Sequence, residues 1–257
     1  MANNFDKNWT TVNNNYPLND KEVERYISVK PSDNQLALVD KPFYTFMHFG
    51  MNTATDREWG AGVEKATDFT IKSIDAKQWV ETAKSAGATG VILTWKHHDG
   101  FCLWPSEYTS FCVKNSSYKG DIVKEVSDEC HKQGMDFGVY LSPWDMHDER
   151  YGTDAYNDYF CNQLTELLTN YGEIFEVWFD GAKGSNAKKF EYDWQRYYDL
   201  IRKLQPKANI AICGPDIRWV GNEEGYALEE HWSTVRKPEF YDKGIPNGKQ
   251  WMRFERG

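Results

Sequence analysis

Ile174-Phe175-Glu176-Val177-Trp178-Phe179-Asp180-Gly181 is the stretch on which the reading of the fold turns. A short apolar run rich in β-branched and aromatic residues predicts a buried strand. The run ends in an acid followed by glycine. A carboxylate at the end of a buried strand is costly unless it is paired, hydrogen-bonded or used. In a barrel of parallel strands that position is the rim where active sites are built. The competing reading is local: Asp180 caps the next helix or satisfies a turn.

The neighbouring segments repeat the pattern. Phe43-Tyr44-Thr45-Phe46-Met47-His48-Phe49-Gly50 predicts a first strand, followed by a polar loop from Met51 to Ser73 that carries Arg57-Glu58-Trp59-Gly60. Trp79, Val80, Ala83 and Ala86 recur at helical spacing, with Gly87 placed as a C-terminal cap. Val91 to Trp95 predicts a second strand running into Lys96-His97-His98-Asp99-Gly100. Asp121 then caps a helix through Ile122, Val123, Val126 and Cys130 that Gly134 closes. Phe137 to Leu141 is the third strand, leading into Ser142-Pro143-Trp144-Asp145. Tyr156, Tyr159, Phe160, Gln163, Leu164, Leu167, Leu168 and Tyr171 form one helical stripe before the Ile174 strand. A helix through Trp194, Tyr197, Tyr198, Ile201 and Leu204 stops at Pro206, and Ile210 to Cys213 is a fifth strand. Shorter helices are expected around Lys21–Ile27 and Asp33–Val39, behind a polar N-terminal arm.

Strands alternating with helices call for a parallel sheet with right-handed crossovers. His48, His97, His98, Trp144, Asp145, Asp180 and Asp216 all follow strands, which favours an α/β fold of the (β/α) TIM-barrel type. A doubly wound sheet would usually carry a phosphate-binding glycine fingerprint after its first strand, and His48-Phe49-Gly50-Met51 is not one. Residues 214–257 leave room for one further βα unit of about 30 residues rather than three. The expectation is therefore a barrel incomplete on its C-terminal side, in a truncated chain. It divides into lead-in residues 1–42 and a catalytic barrel at 43–257.

Composition excludes several partners. A net charge of −9 without basic runs argues against nucleic acid and anionic membrane. No run of eighteen apolar residues predicts a membrane-crossing helix. Five cysteines (Cys102, Cys112, Cys130, Cys161, Cys213) without CxxC or CxxxC spacing suit free thiols in a reducing compartment, and a cytoplasmic location is expected, or a secreted or periplasmic one if a signal peptide has been trimmed. Aromatic residues make up 16% of the chain, with 11 Trp, a surplus that suits a cleft lined by flat apolar faces.

Three chemistries compete at the strand ends. Metal-dependent barrel hydrolases use histidines at i and i+2 of one strand. His48 has no such partner, and on an extended backbone His97 and His98 would point apart, so no metal and no cofactor is expected. A serine or cysteine hydrolase lacks its Gly-x-Ser-x-Gly elbow, and Cys213 is expected to pack. Paired carboxylates fit best: Asp180 with Glu223 or Glu224 in the loop Asp216-Ile217-Arg218-Trp219-Val220-Gly221-Asn222-Glu223-Glu224, where Trp219 and Asn222 could raise one pKa. Glu223 and Glu224 could equally be a solvated loop pair.

Four motifs taken together, Phe46-Met47-His48-Phe49-Gly50, Trp95-Lys96-His97-His98-Asp99-Gly100-Phe101, Gly138-Val139-Tyr140-Leu141-Ser142-Pro143-Trp144 and Glu176-Val177-Trp178-Phe179-Asp180-Gly181, resemble the retaining α-L-fucosidase family of glycoside hydrolases. Arg57 to Gly60 and Arg218 to Glu223 resemble its α1,3/1,4-preferring branch. The resemblance implies an exo-acting enzyme on a fucosylated oligosaccharide or glycoconjugate. Asp180 would be the nucleophile and Glu223, or Glu224, the acid/base. His48, His97 and His98 would hold fucose hydroxyls, with Tyr140 beside the nucleophile. Glu58 and Trp59 would contact the sugar, and Trp178 and Trp232 would wall the pocket. Members usually complete the barrel and add a C-terminal β-sandwich. A chain lacking both could instead be a fucose-binding fragment without turnover, and a metal-dependent hydrolase of the same fold is the most distant reading.

Overall fold

The structure, a computed structural model, describes residues 19–21, 24, 30–185, 187–217 and 219. The chain divides into two compact units, Met1–Ser32 and Asp33–Gly257, and every element named below belongs to the second. The helix expected around Lys21–Ile27 lies largely outside the described residues.

Among the described residues one sheet holds β1 (Thr45–Met47), β2 (Gly90–Lys96), β3 (Asp136–Leu141), β4 (Glu176–Phe179) and β5 (Asn209–Ile212) in sequential order. Every neighbouring pair is parallel. A parallel sheet whose spatial order follows the chain, with helices between its strands, is the arrangement of a (β/α) barrel; a doubly wound sheet reverses its order partway.

Among the described residues of the second unit the α-helices are α1 (Asp33–Val39), α2 (Met51–Thr55), α3 (Ala76–Ser85), α4 (Ile122–Gln133), α5 (Asp154–Asn170) and α6 (Trp194–Leu204). Their starts follow from side-chain acceptors. Asp75, Asp121 and Asp193 each accept the backbone N–H three residues on, satisfying one of the first-turn donors. Gly134 ends α4 at φ +68°, a left-handed conformation that costs glycine nothing. All of the α5 stripe read from periodicity is buried. The segment from Met51 to Ser73 is less irregular than the sequence suggested: α2 begins at its first residue, and a 3₁₀ turn covers Ala66–Asp68.

Strand alternation sorts the core into two sides. Phe179 packs toward the helices against Phe160 of α5 and Trp194 and Tyr197 of α6. Trp178, next to it, turns the other way and meets Phe46 of β1 edge-on at 5.4 Å. Phe46 also meets Tyr140 of β3 at 5.4 Å, so aromatic rings floor the space above the strand ends. All five cysteines are buried and unpaired.

Candidate active site

Above the C-terminal ends of the strands lies a cavity of about 790 Å³. His48, Glu58, Trp59, His97, His98, Tyr140, Trp178 and Asp180 all line it, together with Phe46, Asn52, Cys213 and Trp219. Glu223, Glu224 and Trp232 lie outside the described residues.

Asp180 follows directly on β4, and its two oxygens have different employments. Oδ1 accepts the backbone N–H of Ala182 at 2.7 Å, which holds the turn after the strand. Oδ2 accepts the Tyr140 hydroxyl at 2.6 Å and lies 3.9 Å from Nε2 of His98. Among the described residues no helix starts between Asp180 and Trp194, so Asp180 is not a helix cap, and of the local reading only the turn holds. Tyr140 is buried, and desolvation together with the Asp180 charge pushes its pKa well up. The phenol is therefore a permanent donor to the carboxylate.

The three imidazoles form a contiguous group. His48 meets His97 edge-on with ring centroids 4.7 Å apart, and His97 and His98 are 4.1 Å apart. The expectation that adjacent histidines would diverge fails, and β2 explains why. Its pairing with β3 shifts between Thr94 and Lys96, so one residue is extra. Trp95 stacks on Phe137 and meets Tyr171, while the next side chain, Lys96, reaches Tyr156 and Gln163 of α5. Two consecutive side chains thus face the helical layer, and alternation is shifted by one. A turn follows, with Gly100 N–H donating to the His97 carbonyl, so His97 and His98 enter the cavity together.

Burial keeps these rings uncharged. Desolvation lowers His97 to about 2, with the neighbouring imidazoles adding to the effect. His98 is lowered to about 4 by desolvation, partly opposed by Asp180. Desolvation also lowers His48, again against the pull of Asp180. At neutral pH the cavity presents one carboxylate on β4 beside three neutral rings that can exchange hydrogen bonds with hydroxyls. Among the described residues no group of three or more His, Cys, Asp or Glu side chains is arranged to hold a metal ion.

Several residues that organise the site were given no role in it from the sequence. Asn52, in the first turn of α2, donates to the Glu58 carbonyl at 3.1 Å and so ties the loop carrying Glu58 and Trp59 to the barrel. Trp144 packs against both Trp59 and His98, with centroids 5.4 and 5.0 Å away. Ser142 touches His98, and buried Asp99 lies directly beneath Gly60, where a Cβ would come within 2.4 Å of its own. Two acids that follow strands do other work. Asp145 is buried against Lys96 at 3.0 Å, and Asp216 binds the Arg202 guanidinium and the Ile210 N–H. Each is consumed by a cation from a neighbouring element.

The sequence signature of the family described as alpha-L-fucosidase matches residues 51–252. Alpha-L-fucosidase 1 of Arabidopsis thaliana is 45% identical over 239 residues, covering 88% of this chain and 47% of that protein. Among solved structures, a glycoside hydrolase 29 family member from an unknown rumen bacterium is 45% identical with a TM-score of 0.78, covering 88% of this chain and 45% of its own. A Ruminococcus gnavus glycoside hydrolase 29 fucosidase in complex with fucose is 35% identical with a TM-score of 0.76, over 87% and 54%. The chain thus spans about half the length of the curated relatives it matches. With four strand-end motifs converging on one cavity and these likenesses running through nearly the whole of it, the chain belongs to the alpha-L-fucosidase family of glycoside hydrolases.

Proposed function

We propose that the chain carries the fucose site of an exo-acting, retaining α-L-fucosidase, with Asp180 as nucleophile and Glu223 as acid/base. The observation that carries this reading is the placement of Asp180: a carboxylate at the strand end, oriented by Tyr140 and Ala182, with neutral imidazoles around it. Glycoside hydrolysis passes through a transition state with positive charge on the sugar ring. One fixed carboxylate stabilises that charge, and uncharged imidazoles bind hydroxyls without opposing it.

In the first step Asp180 bonds to the anomeric carbon while protonated Glu223 gives its proton to the departing glycosidic oxygen. In the second, Glu223 takes a proton from water, which displaces Asp180 and restores the starting configuration. Trp219 lines the cavity four residues before Glu223, and four residues of chain reach at most about 14 Å. Glu224 is the alternative acid/base, and Trp232 a candidate for the pocket wall. Glu58 and Trp59, held over the cavity through Asn52, would contact the sugar beside Trp178. The preference for α1,3/1,4-linked fucose rests on the Arg57 to Gly60 and Arg218 to Glu223 motifs.

Asp180→Gly should abolish release of fucose, and azide should restore turnover of an activated aryl fucoside, giving a fucosyl azide of inverted anomeric configuration. Native-like hydrolysis by that variant removes Asp180 from the nucleophile role. If the native chain binds fucosides yet releases no fucose, it is a binding fragment. Glu223→Ala and Glu224→Ala compared on poor and activated leaving groups identify the acid/base, whose loss weighs far more on the poor one.

A further inference from the structure

The hydroxyl of Ser142 touches two groups. Its Oγ lies 2.6 Å from the Trp144 carbonyl oxygen and 2.6 Å from Nδ1 of His98. A carbonyl can only accept, so the single serine proton is committed to Trp144. The contact with His98 then has only one possible direction: Nδ1–H donates to the serine oxygen. A neutral imidazole carries one N–H, and the partner of one nitrogen sets the state of the other. Burial, which keeps His98 neutral at ordinary pH, is consistent with this.

We propose that Ser142 is a positioning residue that locks His98 in the Nδ1–H tautomer, so that Nε2 faces the cavity as a bare acceptor and the ligand group seated between it and Asp180 must be a hydrogen-bond donor. The consequence follows from the opposite side of the gap. Nε2 stands 3.9 Å from Oδ2 of Asp180, too far for a direct bond, and both atoms now accept. Two acceptors face each other, and a group that enters beside Nε2 must bring a proton to it. A sugar hydroxyl gives its single proton to Nε2 while Tyr140 serves Oδ2, whereas an ether oxygen or a fluorine of similar size leaves Nε2 unpaired. The same lock keeps His98 from donating to Asp180, so among the described residues the phenol of Tyr140 is the side-chain donor on Oδ2. The tautomer stands on the serine geometry and on the burial that keeps the ring neutral, and the demand for a donor hydroxyl rests on the fucoside reading of the cavity.

Two measurements separate these. Nitrogen NMR of the ¹⁵N-histidine-labelled native chain should show the pyridine-like resonance of His98 at Nε2; its appearance at Nδ1 overturns the proposal, whether or not any fucoside binds. Competitive binding of a panel of monodeoxy and monodeoxyfluoro L-fucosides to the native chain should then reveal one position where fluorine is as damaging as hydrogen. The expected loss there is about tenfold or more against the parent. Fluorine tolerated at every position refutes the acceptor role. In Ser142→Ala, Nδ1–H loses its partner, the Nε2–H form should gain population in the spectrum, and the fluorine penalty at that one position should shrink. Ser142→Thr, which keeps the hydroxyl, should retain the native tautomer. An unchanged His98 spectrum in Ser142→Ala shows that the serine does not set it. Failure of every fucoside to bind overturns the proposed function and the donor demand together, and leaves the tautomer to the spectrum.

Discussion

Replacing Asp99 by asparagine should flatten the pH dependence of stability. Asp99 is 1% exposed; Oδ1 accepts the Phe101 N–H at 2.7 Å, and Oδ2 has no hydrogen-bond partner among the described residues. Burial raises its pKa from 3.8 to about 7, the Phe101 N–H opposing and the charges of Asp145 and Glu64 adding to the rise. A carboxyl whose folded pKa lies above its unfolded value favours the folded state while protonated. That stability is complete below about pH 4 and is lost as pH rises through 7. At about 1.4 kcal/mol per pH unit, the interval from 3.8 to about 7 is worth roughly 4 kcal/mol. The asparagine side chain keeps a carbonyl for Phe101 and has nothing to ionise. Urea unfolding of both chains at several pH values from about 4 to 8 gives the test. The native chain should lose roughly 3–4 kcal/mol more than Asp99→Asn across that range, and carboxyls not coupled to Asp99 cancel in the difference. Parallel curves would refute the burial argument.

The loop over Asp99 offers a second test. Gly60→Ala places a methyl 2.4 Å from the Asp99 Cβ and 3.3 Å from its Cα, both unable to yield cheaply, so the segment carrying Glu58 and Trp59 must move. Fucose affinity should drop, with a stability cost of about 1–3 kcal/mol, seen by calorimetry and unfolding. Lys96→Met strands the buried Asp145 carboxylate that Lys96 meets at 3.0 Å, and should cost about 3–5 kcal/mol in urea unfolding. A loss under about 1 kcal/mol would mean the pair is dispensable. Gly134→Ala meets open space but forces φ +68° on an L side chain, so about 1 kcal/mol should be lost without any change in fucoside binding.

Much of the strand-end chemistry was legible because each apolar run stops abruptly at a polar or small residue. The Ile174 run announces both β4 and the rim position of Asp180, and the α5 stripe announces its buried face. What stayed hidden depends on partners distant in the chain. The direction of His97 and His98 follows from the extra residue in β2, and nothing local marks it: Trp95 and Lys96 share a side because Phe137, Tyr171 and Gln163 receive them there. Lys96 itself reads as a solvated strand end until Asp145 is brought against it. Asp216 sits where a catalytic acid could sit, and only the approach of Arg202 from α6 assigns it to the framework. Glu58 and Trp59 are plain in sequence, but the Asn52 bond that sets their loop is a tertiary accident of where α2 begins.

The neighbouring positions of His97 and His98 have one more consequence. Their Cα atoms are joined by a single peptide unit and stand about 3.8 Å apart, so the spacing of these two residues is a covalent ruler, indifferent to sliding between strands. Asp180 is measured from them across two ladders, β2 to β3 and β3 to β4. Anything that loosens the sheet therefore changes how far the Asp180 carboxylate stands from the two histidines while leaving the histidines' own spacing unaltered. On the proposed roles of these residues, damage to the barrel wall should fall on turnover before it falls on affinity.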